Sequence, residues 1–120
     1  PGTDSPGAAT FEKMASAAGF KSGPFAPESY DAAALIIMAM QAANSTDSQA
    51  FKGKVMSVAN APGQKIFPGE LGKALKIIAG GGDVDYVGAS AVELIGAGES
   101  AGNYKEILVK GGKNTTVRFR

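Results

Sequence analysis

Pro27-Glu28-Ser29-Tyr30-Asp31-Ala32-Ala33-Ala34-Leu35-Ile36-Ile37-Met38-Ala39-Met40-Gln41-Ala42-Ala43 is the stretch on which the reading of this chain turns. Proline is tolerated in the first turn of a helix, where its missing N–H has no partner to lose, and an acid such as Glu28 complements the helix dipole there. The stretch therefore predicts a helix from Pro27 or Glu28 to about Ala43. Every residue from Ala32 to Met40 is apolar, so this helix has no polar face. That is the pattern of a helix buried between layers, with a sheet on one side and further helices on the other. The run is less than half of the ~20 residues that cross a bilayer, which excludes a transmembrane helix. For a chain of 120 residues such a helix is unusual, and part of its burial partner is expected to lie outside this segment.

Working outward toward the N-terminus, Gly23, Pro24 and Pro27 make Lys21 to Pro27 a stiff extended connection. Before it, Phe11, Met14, Ala15 and Ala18 repeat at helical spacing, and Gly19 should end that helix in the left-handed conformation. Pro1 to Gly7 reads as a loop. Toward the C-terminus, Asn44 to Asp47 form a capped turn, and Phe51, Val55 and Val58 mark a third helix ending near Ala59. Asn60-Ala61-Pro62-Gly63 is a tight turn. Pro68-Gly69-Glu70 opens a fourth helix with the stripe Leu71, Leu75 and Ile78, stopped by Gly80-Gly81-Gly82. The pattern then turns β-prone at Tyr86, Val87 and Val92 to Ile95. Gly96 to Gly102 is a glycine-rich connection, and Tyr104 to Val109 with Asn114 to Phe119 form a terminal antiparallel hairpin. The fold class is α/β: four helices, short strands and a C-terminal β-hairpin. Leu35, Ile36, Ile37, Leu71, Leu75 and Ile78 should be mostly buried, with exposure of Ile36 or Met40 compatible with a missing neighbour.

Composition narrows the chemistry. Hydrophobic residues make up 44% and charged residues 19%, with a mean hydropathy of zero, which is globular rather than disordered. Twelve Lys and Arg against eleven Asp and Glu leave a net charge of +1, so nothing draws the chain to nucleic acid or to an anionic membrane. Lys105, Lys110, Lys113, Arg118 and Arg120 face only Glu106 and read as a solvated strand edge. The absence of Cys and His removes disulfides, Cys/His zinc sites and Ser/His or Cys/His catalytic pairs. Gly96, Gly98 and Gly102 miss the dinucleotide-binding spacing and precede a strand. Gly111-Gly112-Lys113 reads as a hairpin turn, and Asp83 with Asp85 as turn and cap chemistry rather than a cation site. Glu28 and Asp31 share one face of a first helical turn and serve the dipole more readily than catalysis. Two Asn-X-Thr matches, at Asn44 and Asn114, occur at chance level. No catalytic residue, metal ligand or cofactor is expected. The chain opens on Pro1 without a leader pattern, so any targeting signal is expected upstream.

Four strings agree, in order, with one family. Gly23-Pro24-Phe25-Ala26-Pro27-Glu28-Ser29-Tyr30-Asp31-Ala32-Ala33 resembles the "fAPESYDA" segment near the end of periplasmic solute-binding proteins of branched-chain amino acid ABC transporters. Val58-Ala59-Asn60-Ala61-Pro62-Gly63 looks like their "vANAPG" turn, Pro68-Gly69-Glu70-Leu71 follows, and Gly81-Gly82-Asp83-Val84-Asp85-Tyr86-Val87-Gly88-Ala89-Ser90 is similar to their "GGDvDYvGAsG". The resemblance implies the C-terminal part of a two-lobed type I periplasmic binding fold. Residues 1–95 would belong to the amino-terminal lobe, 96–103 to a hinge crossover and 104–120 to a hairpin of the second lobe. Val92-Glu93-Leu94-Ile95 departs from the Phe-Asp pair and Asn-Gly turn of many members, so no role of that pair carries over.

In that family the ligand lies between the lobes, and an aromatic just before the Tyr-bearing helix can line the cleft. Carried over, Phe25 and then Tyr30 are the candidate ligand-binding residues. The function implied is non-catalytic capture of a small solute, an amino acid or related compound, by lobe closure in the periplasm, for delivery to an ABC transporter permease. As an isolated fragment the chain is expected to form a homodimer through its uncovered apolar surface. The alternative is an independent small self-associating α/β domain with no ligand-binding or catalytic role.

Overall fold

Ser5 starts the first helix: its side chain accepts a hydrogen bond from the Gly7 N–H, and Pro6 occupies the first turn. The computed structural model describes all 120 residues, Pro1–Arg120. Helix α1 (Pro6–Ala17) closes as expected at Gly19, whose φ of 71° lets the Gly19 and Phe20 N–H groups bond back to the Ser16 and Ala15 carbonyls. Helix α2 spans Ala26–Ala43, beginning just ahead of Pro27, and ends at Asn44 in the left-handed conformation.

The third predicted helix is real but broken. It comprises α3 (Ser48–Phe51), a 3-10 turn (Lys52–Lys54) and α4 (Val55–Ala59), with the Asp47 side chain capping the Gln49 N–H. Gly53 lies at the break, where a helix interior is least stable. Strand β1 (Gln64–Ile66) was not expected from the sequence, because three residues between a turn and Pro68 are too few to show a period. It pairs in parallel with β2 (Val84–Tyr86), Ile66 opposite Tyr86. Helix α5 (Leu71–Ala79) makes the crossover that a parallel pair requires.

The apolar run of α2 divides into two faces. Asp31, Ala34, Leu35, Met38 and Ala39 are buried, and the four apolar ones pack with Val58, Ala59, Ile66, Ala74, Val84 and Tyr86 in the main core. Ile36 and Ile37, expected to be buried, are 42% and 41% exposed, and Ala32 and Ala33 are exposed beside them. Leu71, Leu75 and Ile78 are half-buried at the edge of that core. The exposure of Ile36 and Ile37 has a simple cause: α4, α5 and the β1–β2 pair cover one side of α2, and no second layer covers the other. A smaller cluster of Phe11, Ala15 and Ala89 seats α1.

The glycine-rich connection contains a short hairpin, β3 (Leu94–Gly96) with β4 (Glu99–Ser100), turning where Gly98 has a φ of 82°. The terminal hairpin forms as predicted from β5 (Lys105–Lys110) and β6 (Lys113–Phe119). Gly111 and Gly112 both take positive φ, which matches the tight turn that right-handed strand twist favours. Val109, Ile107 and Leu108 remain exposed on β5, with Val117 and Phe119 on β6. The radius of gyration, 15.5 Å, exceeds the roughly 13.6 Å expected for a compact chain of this length, in keeping with a hairpin that lies off the helical body.

Candidate functional site

Asp31 joins the first and last of the matched strings. It lies one turn into α2 on the inward face, and its carboxylate is buried. Oδ1 accepts hydrogen bonds from the Tyr86 hydroxyl (2.9 Å) and the Ala89 N–H (2.8 Å), and Oδ2 from the Ser90 N–H (2.7 Å) and hydroxyl (2.6 Å). A buried charge is tolerable when hydrogen-bonded this fully. Burial raises the Tyr86 hydroxyl far above its ordinary pKa, and the charge of Asp31 and the hydrogen bond to it raise it further. Tyr86 is therefore a fixed neutral donor. Gly88 is required at the turn: with φ 63°, a Cβ there would stand 2.3 Å from Asp31 Oδ1.

The other strings are tied in the same way. The Tyr30 ring tilts against Phe11 with centroids 5.4 Å apart, and its hydroxyl accepts from the Gly69 N–H (3.1 Å) in the Pro68-Gly69-Glu70 turn. Asn60, from the Asn-Ala-Pro-Gly turn, brackets Leu94 by donating to its carbonyl (2.6 Å) and accepting from its N–H (3.0 Å). Asn103 donates to the carbonyls of Ser90 and Ala91, pinning the segment before β5 to the same loop. These polar residues form a scaffold in which each named group is engaged in a hydrogen bond within the chain.

Phe25 differs from them. It precedes α2 with φ 66°, a left-handed conformation that a bulky L-residue adopts only at a cost of roughly 1–2 kcal/mol. Its carbonyl accepts from both the Ser29 N–H and hydroxyl, each at 2.9 Å, which holds the turn. The residue is 61% exposed. Strain of this kind collects at binding sites, where the surrounding structure enforces it.

Three cavities border Phe25. An apolar one of about 500 Å³ lies between α1 and the start of α2, with Phe11, Met14, Phe20 and Tyr30 among its walls. A polar one of about 550 Å³ lies between the start of α2 and the terminal hairpin, bordered by Glu12, Glu28, Lys105 and Asn114. A third, of about 300 Å³, is bordered by Glu28, Ser90, Asn103 and Tyr104. The structure thus brings Phe25 and Tyr30 together on the apolar cavity and extends Phe25 alone to the two polar ones. By its place in the first turn of α2, Glu28 is expected to serve the helix dipole. In the structure it borders both polar cavities, and its Oε2 is shielded from solvent without a hydrogen-bond partner. The available signal was its i+3 spacing from Phe25, which puts both residues at one end of α2. Tyr104 and Asn103 were beyond reach, because only the return of the chain after β4 brings them there.

No protein-family model matches the chain, and no solved structure does. Over 82 residues, 68% of the chain, the sequence is 33% identical to the chemotactic signal transduction system substrate-binding protein BasB of Halobacterium salinarum (strain ATCC 29341 / DSM 671 / R1). The matched region is 20% of that protein, so the chain spans about one fifth of the curated relative.

Proposed function

We propose that this chain is part of a two-lobed, non-catalytic solute-binding protein that captures an amino acid or related small solute by lobe closure. The likeness to a substrate-binding protein supports a solute-binding role. The finer reading rests on the resemblance of four strings to the periplasmic proteins of branched-chain amino acid ABC transporters, and with it come a type I binding fold, a periplasmic location and a permease partner. In this reading residues 1–95 complete one lobe, 96–103 cross the hinge, and the hairpin at 104–120 belongs to the second lobe.

The observation that carries the proposal is Phe25: a strained, exposed aromatic at the junction of three cavities, between the helical body and the hairpin. Phe25 forms a wall of the cleft. Tyr30 adds its ring to the adjoining apolar cavity while its hydroxyl stays engaged with Gly69. Ligand contacts made in the closed state alone shift the population toward closure.

Calorimetry on the full-length protein that carries this segment, with leucine, isoleucine and valine as probes, tests the reading. Saturable binding that weakens at least tenfold in Phe25→Ala is expected. Absence of binding to any of a broad panel of amino acids and small acids or amides would overturn it.

A further inference from the structure

The terminal hairpin is tied to the rest of the chain at one place. β5 and β6 make their substantial contacts with each other alone, and no hydrogen bond or ion pair runs from residues 104–120 to residues 1–103. Between the hairpin and the start of α2 lies the polar cavity of about 550 Å³. What directs the hairpin is therefore the residue just before it, Asn103, which is half-buried. Its carboxamide nitrogen carries two hydrogens and donates to two successive carbonyls, those of Ser90 (3.0 Å) and Ala91 (3.1 Å). Ala91 has a φ of 53°, a left-handed conformation that a residue with a Cβ keeps only where its surroundings enforce it. From the other side of this loop, the Ser90 N–H and hydroxyl donate to Asp31 Oδ2. Hydrogen bonds thus run unbroken from α2 through Asp31 and Ser90 to Asn103. Two backbone bonds flank the arrangement, from the Gly2 N–H to the Asn103 carbonyl (3.1 Å) and from the Ala101 N–H to the Glu93 carbonyl (2.8 Å), and neither reaches Ala91.

From this arrangement we infer that Asn103 is a positioning residue: its side chain clamps Ala91 in the left-handed turn, and so fixes the direction in which the chain leaves the helical body and the spacing between the hairpin and the start of α2. The inference goes beyond solute capture and holds whatever the chain binds. Where a solute is captured beside Phe25, the same clamp sets the width of the two polar cavities that Phe25 borders. The demand for two donors makes the role specific to a carboxamide. An aspartate in this place has nearly the same size, but its carboxylate offers no donor and sets a negative charge against two carbonyl oxygens. A glutamine keeps both donors on a stem one methylene longer.

The test uses the full-length protein that carries this segment, spin-labelled through Lys52→Cys in the 3-10 turn and Lys113→Cys at the hairpin tip, both exposed positions. Pulsed dipolar spectroscopy on the unliganded protein should give one narrow distance distribution for the parent. The distribution should broaden at least twofold in Asn103→Asp and Asn103→Ala and narrow again in part in Asn103→Gln, with a cooperative thermal transition kept in each. A distribution unchanged in Asn103→Asp would overturn the inference. Loss of the cooperative transition in all three variants would overturn it as well, by making Asn103 a residue of folding rather than of orientation. Calorimetry on the same proteins with leucine, isoleucine and valine separates the two readings. Binding weakened in Asn103→Asp supports both, whereas broadening in a protein that binds none of a broad panel of amino acids and small acids or amides would leave the clamp standing and overturn solute capture.

Discussion

At the residue scale, Asp31 is the most exacting position in the chain, since one carboxylate satisfies four donors from a turn more than fifty residues away. Asp31→Ala leaves those donors buried without an acceptor and should cost at least about 3 kcal/mol, a large share of the roughly 5–15 kcal/mol that holds a domain together. Tyr86→Phe removes a single hydrogen bond to a charged group and should cost roughly 2 kcal/mol in denaturant titrations. Tyr86 also predicts a pH dependence. Its hydroxyl pKa is raised in the folded state, so above about pH 10 the unfolded chain releases a proton that the folded chain keeps. The stability it contributes is full below about pH 10 and is lost as pH rises further. The gap between parent and Tyr86→Phe unfolding midpoints should therefore shrink between pH 8 and pH 11.5, and parallel curves would refute the coupling. Phe25→Gly tests the opposite kind of residue: relieving the left-handed strain should raise stability by about 1 kcal/mol while abolishing ligand binding in the full-length protein.

At the scale of elements, α2 is a helix with two apolar faces and one covering layer. Its inner face meets α4, α5 and the β1–β2 pair, while Ala32, Ala33, Ile36 and Ile37 meet solvent. Inner and outer isoleucine-sized substitutions should therefore differ sharply. Ile36→Ser and Ile37→Ser should each change stability by less than about 1 kcal/mol, whereas Leu35→Ala should cost about 2–4 kcal/mol, both readable from urea midpoints. The terminal hairpin is held by its own turn and ladder. Arg118 and Arg120 converge on Glu106 at 2.7 and 3.0 Å, but these groups are exposed, and such pairs contribute little net stability.

At the scale of the whole molecule, the uncovered face of α2 and the off-lying hairpin both leave apolar surface in water, with Leu108, Val109 and Val117 each more than half exposed. A second copy can cover such surfaces symmetrically, so the isolated 120-residue chain should sediment as a homodimer at micromolar concentration, and the double variant Ile36→Ser/Ile37→Ser should weaken that association. A monodisperse monomer of 12.1 kDa would refute the dimer and raise the reading of an independent small domain. The isolated chain should also give no saturable heat with leucine, isoleucine or valine at millimolar concentration, because one wall of a cleft encloses no ligand. Saturable binding by the isolated chain would show that its own cavities suffice.

Elements whose signals are local are legible in the chain alone. Helices α1, α2 and α5 and the terminal hairpin follow from apolar spacing, capping residues and the Gly111-Gly112 turn, each legible within a dozen residues. It also marked Phe25, through the Pro-Phe-Ala-Pro setting that the family resemblance singled out. The remaining features depend on residues far apart in the chain, which meet only on folding. A three-residue strand such as β1 has no period of its own and forms because Val84 to Tyr86 arrive beside it. Which face of an all-apolar helix is buried cannot be read from its composition, since Leu35 and Ile36 are equally apolar and differ only in what packs against them. Asp31 and Glu28 read alike as acids near the start of one helix. The fold turns Asp31 onto four donors and leaves Glu28 at the mouth of two cavities with an oxygen unpartnered, because burial and hydrogen bonding are properties of the assembled neighbours rather than of the residue.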